Sequence, residues 1–156
     1  MLTNPLREHV MEQYRRAFSP EAYHAVRELW KAHSVAEDAR DLEGLIATLT
    51  PDCVYEFLPD GPRWEGHGGA RRFYTELLTA FPDVRFDLQN IVIGPQGVFQ
   101  HALATGTWEG PWRGRMPPEG GRRLQKAVLI LFPYDAGRGL FTGELVYGDP
   151  LEGLGY

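Results

Sequence analysis

Residues 84–108, VRFDLQNIVIGPQGVFQHALATGTW, mark the point at which the apolar period of the chain changes from 3.6 to about 2. Two alternating segments, 84–93 and 98–108, flank Gly94-Pro95-Gln96-Gly97, and a connection of that length and composition predicts an antiparallel hairpin. The same alternation returns over 122–132 and 140–147, joined by the turn-forming run Asp135-Ala136-Gly137-Arg138-Gly139. Between the two hairpins, residues 110–121 are rich in Gly, Pro and Arg and read as an irregular connection.

N-terminal to this strand-rich half the signals are mostly helical. Ser19-Pro20-Glu21 supplies an N-cap, a proline at the first helical position and an acid in the first turn. The stripe that follows is Ala22, Val26, Leu29, Trp30, His33 and Ala36, which sets His33 on an apolar face. Asp41 caps a second helix carrying Leu42, Leu45, Ile46 and Leu49, with Pro51 as its stop. A short alternating strand, 53–58, leads to the turn Pro59-Asp60-Gly61-Pro62 and a loop reaching Gly69. Residues 70–81 then repeat the helical period through Phe73, Tyr74, Leu77, Leu78 and Phe81, and Pro82 ends them. Residues 1–18 read as an N-terminal arm or short helix, and 19–156 as a single domain. Helices segregated from a mostly antiparallel sheet are the α+β pattern, and a sheet curled around helices makes a cone with an apolar interior.

Composition narrows the function. The chain has 156 residues, 43% hydrophobic, which suffices for one core. Its formal charge of −5 argues against a nucleic-acid partner, and its longest apolar run, 127–132, is far short of a membrane span. The charged N-terminus lacks the apolar segment of a secretory signal, so a cytoplasmic location is expected. The one cysteine, Cys53, excludes an intramolecular disulfide and reads as a small buried hydrophobe. No His or Cys spacing marks a metal site, so none is expected.

The order of several short motifs resembles the SnoaL-like polyketide cyclases of the nuclear-transport-factor-2-like (NTF2-like) superfamily. They are Asp41-Leu42-Glu43-Gly44-Leu45, Asp52-Cys53-Val54-Tyr55, Gly66, and Ala80-Phe81-Pro82-Asp83. Thr105-Gly106-Thr107, EGPWRGRMPPEGGR over 109–122, Tyr147-Gly148-Asp149-Pro150 and Leu154-Gly155 complete the series. The resemblance implies a curved sheet cradling three helices, a homodimer through the sheet, and a pocket for a small apolar or polyketide-like carbonyl compound. In some relatives such a pocket performs cyclisation, isomerisation, dehydration or epoxide hydrolysis without a cofactor.

Carried over residue by residue, the resemblance puts the ring-closing acid of the cyclases at Val128 and their strand histidine at Trp108. The base of the related ketosteroid isomerases falls at Phe57, next to Glu56, and their helix tyrosine at His33. Neither Val128 nor Trp108 can act as a base, so His33 is the expected acid, base or oxyanion donor, with Glu56 or Glu144 as its carboxylate partner. For His33 the other reading is a buried imidazole bonded to a carbonyl, and for Glu56 a solvent-facing strand acid, since only a register slip turns it inward. Tyr55, Phe57, Trp64, Trp108, Val128 and Tyr147 are the expected ligand-binding residues, or else plain core. The alternative function is a non-catalytic small-molecule-binding or dimerisation module. Asp149 is assigned to structural hydrogen bonding. His67 and the loop arginines 113, 115, 122 and 123 read as exposed loop residues, and His101 as facing away from Trp108.

Overall fold

The computed structural model describes residues 5–59 and 61–151. Asp60 of the predicted turn and the Leu154-Gly155 motif lie outside them, as do residues 1–4 of the predicted arm. Four helices, α1 (Pro5–Arg15), α2 (Pro20–Asp38), α3 (Leu42–Ala47) and α4 (Gly66–Ala80), accompany six strands. The strands are β1 (Leu49–Leu58), β2 (Arg63–Glu65), β3 (Arg85–Gly94), β4 (Gly97–Trp108), β5 (Arg122–Asp135) and β6 (Leu140–Tyr147). They form one curved sheet in the order β2-β1-β6-β5-β4-β3, antiparallel throughout except for the parallel pair β1–β6.

Local chemistry sets the helix ends. The Ser19 hydroxyl accepts from the Ala22 amide at 3.1 Å, and the Asp41 carboxylate accepts from the Gly44 amide at 3.0 Å, each satisfying a donor that the first helical turn leaves free. α2 crosses the concave face of the sheet. It is tied there by the Trp30 indole, which donates to the Gln100 side chain of β4 at 3.2 Å. Beyond its C-terminus the Arg40 guanidinium donates to the Val84 carbonyl ahead of β3. The inward residues of β4 and β5 are the even-numbered ones, among them Val98, Ala102, Val128, Ile130 and Phe132, packed against Phe73, Leu77 and Phe81.

Three local expectations are corrected. The helix expected to reach Pro51 stops at Ala47, because Leu49 already pairs with Phe141 in the sheet. Pro51 is tolerated within β1 because the ladder is interrupted between Leu49 and Val54, so no amide is missed there. The supposed loop up to Gly69 contains β2, whose three residues pair with Val54–Glu56, and α4 begins four residues earlier than expected, at Gly66. A three-residue strand carries too little alternation to be read from sequence.

One irregularity in β6 matters for the site. Strict alternation would put Phe141 and Glu144 on opposite faces, yet both are buried on the concave side. The register slips between Leu131 and Tyr134 on β5 and between Leu49 and Val54 on β1. Gly143 lies within this segment with φ +125°, and a Cβ there would overlap the Val54 carbonyl. Glycine thus permits the bulge that turns Glu144 inward.

Candidate functional site

His33, Thr48, Tyr55, Tyr74 and Glu144 form one buried polar cluster, with His33 1% and Glu144 3% exposed. α2 delivers His33 from its apolar stripe, the turn after α3 delivers Thr48, and α4 delivers Tyr74. β1 and the bulged β6 bring Tyr55 and Glu144. His33 Nδ1 lies 2.7 Å from Thr48 Oγ1, while Nε2 lies 3.0 Å from Glu144 Oε1 and 3.2 Å from the Tyr74 hydroxyl. The Tyr74 hydroxyl donates to Glu144 Oε1 at 2.8 Å and stands 3.3 Å from that of Tyr55. The rings of Phe132 and Phe141 pack edge-on against the imidazole, with centroids 5.3 and 6.1 Å away.

Counting protons fixes the histidine. The Thr48 hydroxyl donates its proton to the Leu45 carbonyl at 2.7 Å, so Thr48 Oγ1 accepts from His33 and Nδ1 carries the hydrogen. The hydrogen bond between Nε2 and Glu144 Oε1 then needs one further proton. Either an imidazolium donates to a carboxylate, or a carboxylic acid donates to a neutral imidazole. The pair has zero net charge in both forms, which limits the penalty of burying it. Burial raises the Tyr55 and Tyr74 hydroxyls well above the ordinary phenol range, and the Glu144 charge acts in the same direction, so both remain donors.

Glu144 also faces a cavity, whereas His33 stands behind it. The walls are largely apolar and include Phe57, Phe73, Leu77, Phe81, Val128 and Ile130. Charged groups enter from three strands or helices, namely Glu37 from α2, Lys126 from β5 and Glu144 from β6. The space open to the centre of a water-sized molecule is about 50 Å³, within roughly 660 Å³ of empty volume that includes the open mouth. At roughly 10–15 Å³ for each such centre, the enclosed part suits a few waters or one small organic group.

Glu37 carries no distinguishing signal in the sequence pattern. It follows His33 by four residues, hence one turn along the same face, but lies just past Ala36, where the apolar stripe ends. Its carboxyl is raised to about 8, chiefly by burial and then by the charges of Glu144 and Asp38, with Arg40 opposing them.

The structure brings His33 and Glu144 together but not Glu56. That side chain points to the convex face, 3.4 Å from Arg63, because β1 keeps its alternation from Cys53 onward. Among the expected ligand residues, Phe57 and Val128 line the cavity, and Tyr55 lies behind it in the polar cluster. Trp64 and Trp108 are buried in packing, their indoles donating to Glu76 at 3.2 Å and to the Gly110 carbonyl at 2.7 Å. Tyr147 is 44% exposed and faces outward, three residues along β6 from the inward Glu144.

Asp149 accepts from the Leu151 amide at 2.8 Å and pairs with Arg113. His67 is not merely an exposed loop residue: it is half-buried in α4 and donates from Nε2 to the Leu49 carbonyl at 3.1 Å. Burial pushes the Cys53 thiol up to about 11, which makes it a poor nucleophile. Among the described residues no group of three His, Cys, Asp or Glu side chains could hold a metal ion, and no helix is long and apolar enough to cross a membrane.

The α+β sheet wrapped around helices has the cone-like fold of solved NTF2-like structures, among them one from Burkholderia xenovorans LB400 with TM-score 0.66 and 14% identity over 83% of this chain and 92% of that one. The sequence matches the SnoaL-like domain over residues 26–138, and the chain belongs to that family. Similar solved structures include a proposed SnoaL-like polyketide cyclase from Jannaschia sp. CCS1, with TM-score 0.73 and 22% identity, covering 87% of this chain and 92% of that one. AclR from Streptomyces galilaeus, a proposed hydroxylase, gives 0.65 and 20% identity over 83% and 93% of the two chains. IdmH from Streptomyces antibioticus, a proposed polyketide cyclase, gives 0.62 and 21% over 80% and 91%. No protein of curated function matches the sequence significantly.

Proposed function

We propose that this protein is a cofactor-free acid–base catalyst, of the cyclase or isomerase type, for a small hydrophobic or polyketide-like carbonyl compound. The observation that carries this reading is Glu144, a carboxyl group at the wall of an apolar cavity whose Oε1 is held by His33 and Tyr74. An enolisable carbonyl compound loses a proton from the carbon next to its C=O, and a carboxylate in poorly solvated surroundings is suited to take it. Oε2 of Glu144 is the oxygen assigned to that transfer. His33 serves as a positioning residue, since it holds the carboxylate from behind and balances its charge. The relatives described as polyketide cyclases support the substrate class.

The competing reading, a passive binding module, draws on Val128, an apolar wall residue at the position where the family resemblance puts the ring-closing acid. Proton exchange separates the two. Cyclohexanone incubated in D₂O with the protein should gain deuterium next to its carbonyl faster than in buffer, as read by ¹H NMR. Glu144→Gln should remove the acceleration. Binding without acceleration, across a series of enolisable ketones, would leave the passive module.

For the assembly, we infer a homodimer through the convex face of the sheet. Val92, Phe99, Leu129 and Tyr147 are exposed there as neighbouring apolar side chains on four adjacent strands, a pattern that supports burial against a second copy.

A further inference from the structure

The structure places Glu37 at a boundary. It lines the apolar cavity together with Glu144 and Lys126. It also lines a polar groove of about 600 Å³ on the outside of the cone, between the end of α2 and the start of β3, with Asp38, Arg40, Arg85 and Asp87. Val84 and Phe86 border both spaces, so Glu37 stands beside them in the partition between the interior and water. A third, smaller recess, shared with Arg40 and Tyr74, opens at the same side chain.

We propose that Glu37 is the second proton-transfer residue of this cavity, donating to the substrate oxygen while Glu144 acts on carbon and recovering its proton through the outer groove. This inference rests on the acid–base reading of Glu144 given above. A single carboxylate can remove a proton from carbon, but the negative charge then develops on the carbonyl oxygen and needs a donor. Glu144 takes the C–H proton, the C–H electron pair becomes the C=C bond, and the carbonyl π pair moves to oxygen. Neutral Glu37 gives its proton to that oxygen and becomes a carboxylate. In a ring closure the enolate carbon instead attacks a second carbonyl carbon, and Glu37 protonates the alkoxide formed there. Water in the groove then returns a proton to Glu37, and Glu144 releases its own to solvent, so the cycle is redox-neutral and closed.

The surroundings suit a neutral acid. Asp38 on the same helix and Glu144 across the cavity both disfavour the Glu37 carboxylate, and Arg40 alone is identified as favouring it. Arg85 and Asp87 of β3 face the groove with opposite charges, Lys126 faces the cavity, and Tyr74 lines the smaller recess together with Glu37. With its carboxyl raised to about 8, Glu37 retains its proton at neutral pH, when ordinary glutamates have lost theirs.

Two readouts on the 156-residue chain test this. In protein labelled with ¹³C-glutamate, the carboxyl signal missing from Glu37→Gln should titrate with a midpoint near 8 and move down in Glu144→Gln, where a like charge is gone. In the cyclohexanone exchange assay, Glu37→Gln should lower the rate about 10- to 100-fold, and the fall in rate of the unaltered protein above pH 8 should disappear. Glu37→Asp, which withdraws the acid but keeps a titrating group, should retain the alkaline fall at reduced rate. A Glu37 midpoint in the ordinary carboxyl range overturns the proposal. So does full activity in Glu37→Gln when Glu144→Gln is inactive, an outcome that leaves the Glu144 reading intact. Absence of exchange by the unaltered protein with any enolisable ketone overturns both.

Discussion

Replacing Glu37 by glutamine should make the protein more stable, increasingly so as pH rises. In the unfolded chain this carboxyl ionises near 4.5, whereas in the folded protein it holds its proton to about 8. Between those values the native state binds the extra proton, so stability falls with rising pH across the window and levels off above it. The interval is about 3.5 pH units, and at about 1.4 kcal/mol for each the ceiling is about 5 kcal/mol. Glu37 is only half-buried and meets the outer groove, so water reduces the effect, and roughly 2 kcal/mol is the expected size above pH 8. Urea unfolding followed by tryptophan fluorescence at pH 5, 6, 7, 8 and 8.5 measures it. With a slope of about 2 kcal/mol per molar, the midpoint of Glu37→Gln should match the unaltered protein near pH 5 and exceed it by about 1 M at pH 8.5. A difference that stays constant across this range, or shrinks with rising pH, would refute a buried proton on Glu37.

Other perturbations probe the rest of the site and the sheet. Replacing His33 by leucine leaves Glu144 buried without its main partner and should cost about 3–5 kcal/mol in urea unfolding. Tyr74→Phe removes one donor to Glu144 and should cost about 1–3 kcal/mol by the same measurement. Gly143→Ala imposes a Cβ on a left-handed residue against the Val54 carbonyl, and should lower stability by about 3 kcal/mol or more and abolish any activity that depends on Glu144. Leu129→Arg places a charge in the middle of the exposed apolar sheet face, and should convert a dimer to a monomer in light scattering without altering the circular dichroism spectrum.

The change of period at residue 84 made the sheet legible, because each long strand buries one face and exposes the other. The starts of α2 and α3 were equally plain, since Ser19 and Asp41 are residue types that satisfy free amides, whereas α4 starts after Glu65 with no side-chain cap to mark it. The short strand β2 was not, because pairing over three residues leaves almost no pattern. His33 could be singled out as a polar residue in an apolar stripe. Its partner could not be chosen, since alternation alone gives Glu144 and Phe141 opposite faces and only the bulge at Gly143 turns both inward. Glu37 shows a different limit: its spacing from His33 was available, but a carboxylate on a buried face is read as the edge of the stripe unless a cavity is known to lie beside it. Glu56 was visible as a strand acid, and the same parity that made it visible sends it to the convex side.

The position of β6 between β1 and β5 also bears on how the chain folds. The last of the described strands is not at an edge; it is inserted mid-sheet, parallel to β1 and antiparallel to β5. Before it docks, the earlier strands can pair only as two separate pieces, β2-β1 and β5-β4-β3, each with an open side that invites wrong partners. Glu144 arrives on that same strand, 111 residues after His33. Closing the sheet and completing the polar cluster are therefore one late, long-range event, slow by topology, so a ribosome-bound chain that has not yet released β6 has neither a continuous sheet nor a site.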